Sequence, residues 1–369
     1  MKQVFAITLL LFSIGCKKPI TVVVPPLPVP LPEVPTGFDT LTNGFTTQVQ
    51  HDADRAQFEE DAVLPQLGPA FNARSCFNCH TNPVSGGNSQ VSEHRIGPDE
   101  PGDEIASAAL IHDQSTDANT QQVAPFDALS ALRMSTSLFG LAFVEQVSDA
   151  DLLAIAKANG GQAIMVPVLE SPGTKKVGRF GWKCQHATLL SFAGDADFNE
   201  KGVGNRLVKD PVNGIEDQQQ GSTTGCTDPH CEDIDFYASF MRALKAPPRG
   251  PIDASVRQGE QVFDRIGCNS CHVDTLHTPT VQFHPYGDFL LHDIGTGDGV
   301  MQGQAPAKKV RTAALWGLRT RARLLHDGRA FDIPTAIKMH GREAHGARVA
   351  FKKLSPAGRV LLLRFLNSL

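Results

Sequence analysis

Tryptophan and tyrosine are scarce in this 369-residue chain, positive charge is not in excess, and long apolar runs are almost absent. There are two Trp and two Tyr against 21 Phe, so aromatic packing has to come mainly from phenylalanine. The formal net charge of −5 excludes the broad basic surface that nucleic-acid binding requires. An apolar content of 41% with 20% charged residues is typical of a globular chain rather than a disordered one.

The long apolar run that does occur covers residues 4–14 and follows Lys2. A membrane-spanning helix needs about 20 apolar residues, so this run has the length of a signal peptide instead. We therefore predict a signal peptide over 1–16 and an exported, periplasmic protein. A small residue before Cys16 resembles the lipobox of bacterial lipoproteins, although Ser13 stands where Leu is usual. Lipidated Cys16 would be the membrane attachment; the alternative is an ordinary cleaved signal with an unrelated cysteine.

Residues 17–37 are rich in proline and valine. Proline fixes φ and has no backbone N–H to donate, so such a tract favours an extended polyproline II conformation. We predict a semi-rigid linker that holds the rest of the protein away from the lipid.

Four of the eight cysteines lie in two copies of Cys-x-x-Cys-His. Two thiols at this spacing can each form a thioether with one haem vinyl group, and the adjacent His is then placed to ligate the iron. The alternatives are a zinc site with four Cys ligands or thioredoxin-like pairs. Zinc does not need His in both copies, and a thioredoxin-like pair needs a strand–helix setting. We predict two covalently attached c-type haems. Their residues are Cys76, Cys79 and the proximal ligand His80, and Cys268, Cys271 and the proximal ligand His272.

The remaining cysteines predict little chemistry. Cys226 and Cys231 are close in sequence, and in an oxidising compartment we expect a disulfide between them. Cys184 is left over, and a buried inert thiol is the usual state of such a residue, with a reactive thiol as the alternative.

The second haem motif lies in a recognisable unit. Apolar spacing predicts a helix from Asp253 to Ile266 that leads into the motif. Ser355 followed by proline predicts the start of a last, amphipathic helix. Two helices in this order follow the plan of class I cytochromes c. We therefore predict a C-terminal cytochrome c domain over 249–369 and an N-terminal haem domain, enlarged by insertions, over 38–248.

Other helices are predicted around residues 53–62, from a capping box at Ser148 to Gly160, and from Glu232 to Leu244. Long connections over 81–104, 201–230 and 273–310 carry Gly, Asp and Pro and are predicted to be loops. The expected fold is mainly α, with two cytochrome c-like haem domains and long loops.

Several stretches together resemble one known family, the di-haem oxidoreductases, which are related to bacterial di-haem cytochrome c peroxidases and MauG-type enzymes. The stretches are 67–75 (LGPAFNARS), 138–145 (LFGLAFVE), 178–183 (GRFGWK), 288–293 (DFLLHD), 311–319 (RTAALWGLR) and 325–330 (LHDGRA). The resemblance implies an enzyme of peroxidase type. Electrons would pass from the C-terminal haem to the N-terminal haem, where peroxide is reduced. It also implies an electron donor such as a small cytochrome c or a cupredoxin, and leaves open a bound calcium ion, for which no diagnostic loop is visible. The alternatives are oxidation of a thiol or protein substrate and a pure electron-transfer cytochrome.

The resemblance also suggests the sixth iron ligands. In related peroxidases a Met fourteen residues after the His-Asp-Gly run ligates the C-terminal haem, and the same count from His326 reaches His340. We predict His340 as the distal ligand of the second haem, with Met339 as the alternative. The first haem has no clear partner among Met134, His94 and His292, so we expect it to be open or weakly ligated.

The remaining site residues are assigned by their place in the family stretches. Glu145 is the candidate base for peroxide cleavage, and a salt-bridged structural role is the alternative. Arg311 and Arg319 are candidates for neutralising haem propionates. Trp182 is the candidate electron relay between the haems, with Trp316 as the alternative, although a core aromatic is the commoner role of each.

Overall fold

The computed structural model describes residues 30–64, 66–97, 109–116, 129–209 and 231–369. The predicted signal peptide, the lipidated Cys16 and most of the proline-rich linker lie outside the described residues. Residues Pro32–Leu369 form one compact unit. Helices make up 35% of the described residues and strands 15%, so the fold is mixed, and the prediction of a mainly α fold is corrected in this respect.

The described part contains nine α-helices, and several predicted ends are confirmed. The helices are α1 (Gln48–Glu59), α2 (Leu141–Glu145), α3 (Asp149–Asn159), α4 (Leu189–Ala196), α5 (Asp233–Ala243), α6 (Ala254–Arg265), α7 (Ile333–Met339), α8 (His345–Lys353) and α9 (Pro356–Leu366). The Ser148 side chain caps α3 by accepting from the backbone N–H of Asp151, and Gly160 ends the helix in the left-handed conformation. The Ser355 side chain caps α9 in the same way.

Short strands fill part of what the sequence predicts as loops. They are β1 (Ala70–Phe71), β2 (Ser92–Ile96), β3 (Ala109–Ile111), β4 (Gln114–Ser115), β5 (Ser130–Met134), β6 (Met165–Pro167), β7 (Lys175–Val177), β8 (Leu276–His277), β9 (Gln282–Phe283), β10 (Leu291–His292) and β11 (Val310–Arg311). The order β3-β2-β5 makes a three-stranded antiparallel sheet, in which His94 lies opposite both Ile111 and Leu132. The other strands form antiparallel pairs: β1 with β4, β6 with β7, β8 with β9 and β10 with β11.

Phenylalanine supplies most of the aromatic rings in the two main apolar cores, as the composition predicts. In the larger core the rings of Phe58 and Phe240 lie 4.5 Å apart, between α1 and α5. The second core is built by α6 and α9, whose Phe263 and Phe365 rings lie 5.2 Å apart. Gly259 lets these helices approach closely, because a Cβ there would lie 2.1 Å from the carbonyl oxygen of Leu361. The packing of the helix before the second motif on the last helix is thus confirmed.

No helix in the described ranges has both the length and the apolar character needed to cross a membrane.

Candidate functional site

Each Cys-x-x-Cys-His motif lies on the wall of its own cavity. The first cavity, of about 340 Å³, is lined by Cys76, Cys79 and His80 among others. The second cavity, of about 540 Å³, is lined by the other motif, Cys268, Cys271 and His272. Both volumes fall in the range of small-molecule and cofactor sites.

The two motif histidines make hydrogen bonds of the same kind, each to a backbone carbonyl. In each motif the cysteines lie on or beside a single 3₁₀ turn, Cys76–Asn78 or Cys268–Ser270, and the His follows it. Nδ1 of His80 donates to the carbonyl of Gly87 at 3.0 Å, and Nδ1 of His272 donates to that of Tyr286 at 3.0 Å. With the proton on Nδ1, the lone pair is on Nε2.

Burial keeps both imidazoles neutral. It lowers the pKa of His80, and it lowers the pKa of His272 to about 4. A neutral imidazole with its lone pair on Nε2 is the form that binds a metal. The sequence therefore builds the same ligand geometry twice, in two separate cavities.

The four motif cysteines are free of disulfides, and they belong to two cavities rather than one cluster. Burial raises the pKa of Cys76 to about 12, so this residue is a thiol and not a thiolate at pH 7. Across the described residues no three His, Cys, Asp or Glu side chains are grouped so that they could hold a metal ion. The arrangement therefore does not fit a zinc site with four Cys ligands.

His340 lies in the second cavity together with His272, at the C-terminal end of α7. Its Nδ1 donates to the carbonyl of Ala336 at 2.8 Å, which again leaves the lone pair on Nε2. Burial lowers the pKa of His340, so it is neutral at pH 7. The neighbouring Met339 is not among the residues that line this cavity.

Of the three candidate partners for the first haem, two lie in the first cavity. His94 and Met134 both line it. His292 lines the second cavity instead, and both of its ring nitrogens are taken, Nδ1 by Glu343 at 2.8 Å and Nε2 by Asp288 at 2.9 Å. His292 therefore has no free nitrogen for a metal.

The first cavity contains a carboxyl pair that the sequence did not single out. Glu93 and Glu200 both line it and hydrogen-bond each other, and Arg95 forms a 2.9 Å ion pair with Glu93. Burial, followed by the charge of Glu93, raises the pKa of Glu200 to about 8. Burial would also raise the pKa of Glu93, but Arg95 reverses this and lowers it. At pH 7 the pair therefore holds one proton, on Glu200.

Glu145 has a different position from the one expected of a cavity base. Its carboxylate accepts two hydrogen bonds from Arg242, at 2.7 and 2.9 Å, and one from the backbone N–H of Leu189 at 2.7 Å. It lines neither cavity. The structure therefore gives Glu145 the salt-bridged structural role, because its lone pairs are used to join α2, α4 and α5.

Of the two arginines predicted to neutralise propionates, only one lines a cavity. Arg311 is buried and lines the second cavity. Arg319 lines neither cavity; it donates to the carbonyl of Leu369 at 2.9 Å and lies over the Phe38 ring. The expectation for Arg319 is thus corrected by its position. Arg321, which the sequence did not single out, lines the second cavity.

One set of residues lines both cavities, and we call it the shared wall: Met134, Ser135, Thr136 and Trp182. The indole N–H of Trp182 donates to the carbonyl of Met134 at 2.7 Å, which joins the end of β5 to the 178–183 stretch. The guanidinium of Arg311 lies 5.7 Å from the Trp182 ring centroid. Trp316 lines only the second cavity.

Two buried side chains beside the shared wall have polar atoms without a hydrogen-bond partner. Nη2 of Arg133 is one, on a residue that lines the first cavity. Both ring nitrogens of His326 are the others, and this residue lines the second cavity with its ring 6.1 Å from that of Trp182. Burial lowers the pKa of His326 to about 4, so its ring is neutral at pH 7 and carries one N–H. A buried donor without a partner costs about 1–3 kcal/mol, so this N–H and Nη2 of Arg133 each call for an acceptor inside the cavities.

Of the other cysteines, the structure describes Cys184 and Cys231, and neither lines a cavity. Cys184 is buried, donates to the carbonyl of Phe289 and has its pKa raised to about 12 by burial, as expected of an inert thiol. Cys231 is disulfide-bonded, while its predicted partner Cys226 lies outside the described residues.

Two solved structures are similar to this chain over most of its length. A structure of hydrazine synthase from Kuenenia stuttgartiensis under xenon pressure is 15% identical, covers 96% of this chain and 100% of that chain, and has a TM-score of 0.45. A MauG-like protein associated with microbial copper homeostasis is 14% identical over 93% of this chain and 94% of its own, with a TM-score of 0.43. Both scores are too low to support a functional argument, and no curated relative matches the sequence.

The family model described as "Di-haem oxidoreductase, putative peroxidase" matches residues 104–369, which is well over half of the chain. The matched part contains the second motif, Trp182 and His340, and it begins after the first motif. With two Cys-x-x-Cys-His cavities in one compact unit, the chain belongs to the di-haem oxidoreductase family.

Proposed function

We propose that this protein is a peroxidase-type enzyme with two covalently attached c-type haems. With haem bound in both cavities, electrons would enter at the second cavity and pass to the first, where peroxide would be reduced. The observation that carries the proposal is the pair of cavities, each built on one Cys-x-x-Cys-His motif and separated by a wall that contains Trp182.

The residues of both cavities fit haem. Four free thiols are available for thioethers, and His80 and His272 present neutral imidazoles as proximal ligands. The unpartnered donors of Arg133 and His326 match the carboxylate acceptors that haem propionates provide. When bound, haem supplies one-electron chemistry and, where its sixth position is open, a site for peroxide.

His340 makes the second cavity suitable for electron transfer. His272 and His340 line the same cavity and would both ligate the iron of a haem bound there, and a haem with two His ligands would have a lower potential than one with His and Met. A small cytochrome c or a cupredoxin would be the donor. Arg311 and Arg321 would neutralise propionates there.

Glu93 and Glu200 give the first cavity the proton chemistry that peroxide cleavage needs. Cleavage requires a base to take the proton from one peroxide oxygen and an acid to return it to the other. The Glu93 carboxylate is placed to accept this proton, and the Glu200 carboxyl already holds one to donate. Arg95 adds a fixed positive charge beside the pair. We therefore assign the role first considered for Glu145 to Glu93 and Glu200.

Trp182 is the proposed relay between the haems, because it contributes to both cavities while Trp316 reaches only one. Its indole N–H already has an acceptor in the Met134 carbonyl, which keeps the ring in a fixed orientation.

The second candidate function is electron transfer without turnover. It is favoured by His94 and Met134, which line the first cavity and offer two side chains that could close the sixth position of the first haem.

Absorption and EPR spectra of the oxidised and half-reduced protein, with and without hydrogen peroxide, separate the two functions. The enzyme should show a high-spin haem whose signal changes when peroxide is added. Two low-spin haems that ignore peroxide in both states would leave the electron-transfer function. Absence of covalently bound haem would contradict both.

We also propose that the mature protein is periplasmic and anchored through lipidated Cys16. The Cys16→Ala variant should be found in the soluble periplasmic fraction instead of the membrane fraction. An unchanged distribution would contradict the anchor.

A further inference from the structure

The segment between β10 and β11, residues 293–309, surrounds the side chain of Lys183. This side chain is completely buried, and its Nζ lies 3.1 Å from Oδ1 of Asp298. Nζ also donates to the backbone carbonyls of Lys309 at 2.8 Å, Ala307 at 3.0 Å and Pro306 at 3.3 Å. Four oxygens from one segment therefore enclose one buried amine.

We call these four oxygens, from Asp298, Pro306, Ala307 and Lys309, the cage. The charged side chains at the cage carry more positive than negative charge. Oδ2 of Asp298 accepts from Nε of Arg133 at 2.7 Å, so both oxygens of this buried carboxylate are in use. Burial lowers the pKa of Lys183 to about 8 against the pull of Asp298, so the amine is charged at pH 7. Burial would raise the pKa of Asp298, but Arg133 and Lys183 lower it. The carboxylate therefore bridges two cations.

A carboxylate and a ring of backbone carbonyls are the ligands that a hard metal cation such as calcium prefers. Calcium–oxygen distances are about 2.3–2.6 Å, whereas the four distances around Nζ, from 2.8 to 3.3 Å, are those of ammonium hydrogen bonds. A divalent ion would also add charge to a carboxylate already shared by two cations. The calcium ion left open by the family resemblance therefore does not fit this cage.

The cage closes directly on the shared wall. Lys183 follows Trp182 in the chain, and Arg133 precedes Met134. The hydrogen bond from Trp182 to the Met134 carbonyl is thus flanked by a second link between the same two segments, from Lys183 through Asp298 to Arg133. The position of the Trp182 ring depends on both links.

We propose that the Lys183 ammonium is a built-in cation that stands in for a bound metal ion, holding the 298–309 segment against the shared wall and so positioning Trp182 between the two cavities. Lys183 is a positioning residue in this role, and the protein needs no calcium at this place.

The test uses the purified holoprotein at pH 7 and follows its Tm and the near-UV circular dichroism of its aromatic side chains. Neither calcium chloride nor a chelator should change the wild-type protein. Lys183→Ala should lower the Tm by several degrees, because it leaves a cation-sized space lined with oxygens. Methylammonium chloride should restore part of the Tm and the dichroism, while tetramethylammonium chloride at equal concentration, too large for the space, should not.

Lys183→Met is the matched control, since it keeps the unbranched side chain, shortened by one atom, and removes the charge. It should also melt below the wild type but should not respond to methylammonium, because its side chain fills the space. A wild-type Tm that rises with calcium or falls with the chelator would overturn the proposal. So would equal effects of the two ammonium salts on Lys183→Ala.

Discussion

Three histidines in two cavities share one hydrogen-bonding arrangement. His80, His272 and His340 each donate from Nδ1 to a backbone carbonyl, at 3.0, 3.0 and 2.8 Å, and desolvation lowers the pKa of each, so that all three are neutral at pH 7. The carbonyl fixes both the tautomer and the ring orientation, which is how a protein prepares a nitrogen for a metal before the metal arrives.

The ligand role of His340 can be tested with a thioether in its place. We expect His340→Met to raise the midpoint potential of the second haem by on the order of 0.1 V, since axial ligands tune haem potentials over about 0.8 V and Met favours the reduced iron. The measurement is a spectroelectrochemical titration of the holoprotein. Met339→Leu serves as the control and should leave the potential unchanged. If Met339→Leu changed the midpoint potential and His340→Met left it unchanged, the ligand would be Met339.

The proton held by Glu200 should appear in the stability of the protein. The pKa of Glu200 is about 8 in the folded state against an ordinary value of 4.5, so the protonated form stabilises the fold at low pH. This contribution is lost as the pH rises from about 4.5 through 8. Gln resembles the protonated carboxyl and does not titrate. Between pH 5 and pH 8 the Tm of Glu200→Gln should therefore fall by less than the Tm of the wild type. Glu60 is exposed, and Glu60→Gln should show the same decrease in Tm as the wild type. If the Tm of Glu200→Gln fell as much as that of the wild type, Glu200 would not hold a proton at pH 7.

Glu200→Gln and Glu145→Gln together test which carboxyl takes part in the acid–base chemistry of peroxide cleavage. Glu200→Gln should lower peroxide turnover by about 10²-fold or more, the usual contribution of general acid–base catalysis. Glu145→Gln should lower the Tm through loss of its ion pair with Arg242 and leave the turnover of the folded enzyme largely intact. If Glu145→Gln were the variant that lost turnover, the assignment to the cavity pair would be wrong.

Among the elements, the strands of the first cavity were the hardest to predict. Strand β2 reads Ser-Glu-His-Arg-Ile, with no alternation of apolar residues, because its side chains line a cavity instead of a core. Sequence patterns detect burial among apolar side chains, and this strand buries polar ones. The same cause hid Glu93 inside a predicted loop.

Helices that pack on apolar cores were predicted well. Helices α3, α5 and α6 begin and end within one residue of their predicted ends, and α9 begins at its predicted cap, since caps and apolar spacing are local signals. Helix α1 starts at Gln48, earlier than predicted, because it buries the polar side chains His51 and Asp54. The two haem motifs were also readable from spacing alone. The partners of Glu145 and Arg319 were not, because they come from distant parts of the chain.

The contact between α6 and α9 can be tested at one glycine. Gly259→Ala should destabilise the protein by about 1–3 kcal/mol or more, because the new Cβ would meet the backbone of α9 at Leu361. Gly358→Ala is the matched control, since Gly358 lies in α9, lines neither cavity, and a Cβ there would have no neighbour closer than 3.4 Å. It should be neutral or stabilise by about 0.5–1 kcal/mol through helix propensity. Thermal melting of both holoproteins is the measurement, and equal Tm values would show that the close approach is unimportant.

In the molecule as a whole, the two cavities lie in one compact unit and have a common wall. Trp182→Phe removes the indole and its hydrogen bond to Met134 while keeping an aromatic ring. We expect slower electron transfer from the second haem to the first, with both midpoint potentials nearly unchanged, in stopped-flow reduction followed by absorption. Trp316→Phe, on the second cavity alone, should leave the rate as it is. An equal effect of both variants would remove the special role of Trp182.

The shared wall also has an evolutionary consequence. Substitutions at distant sites normally add in their effects, but residues connected through common contacts show interaction energies of about 0.5–3 kcal/mol. Met134 touches the two cavities from one backbone segment, and its neighbours Arg133 and Trp182 connect it to Asp298 and Arg311. Mutations on opposite sides of this wall should therefore be epistatic. The two halves of the protein are then expected to diversify together, and a cavity exchanged from another member of the family should work only with its matching wall.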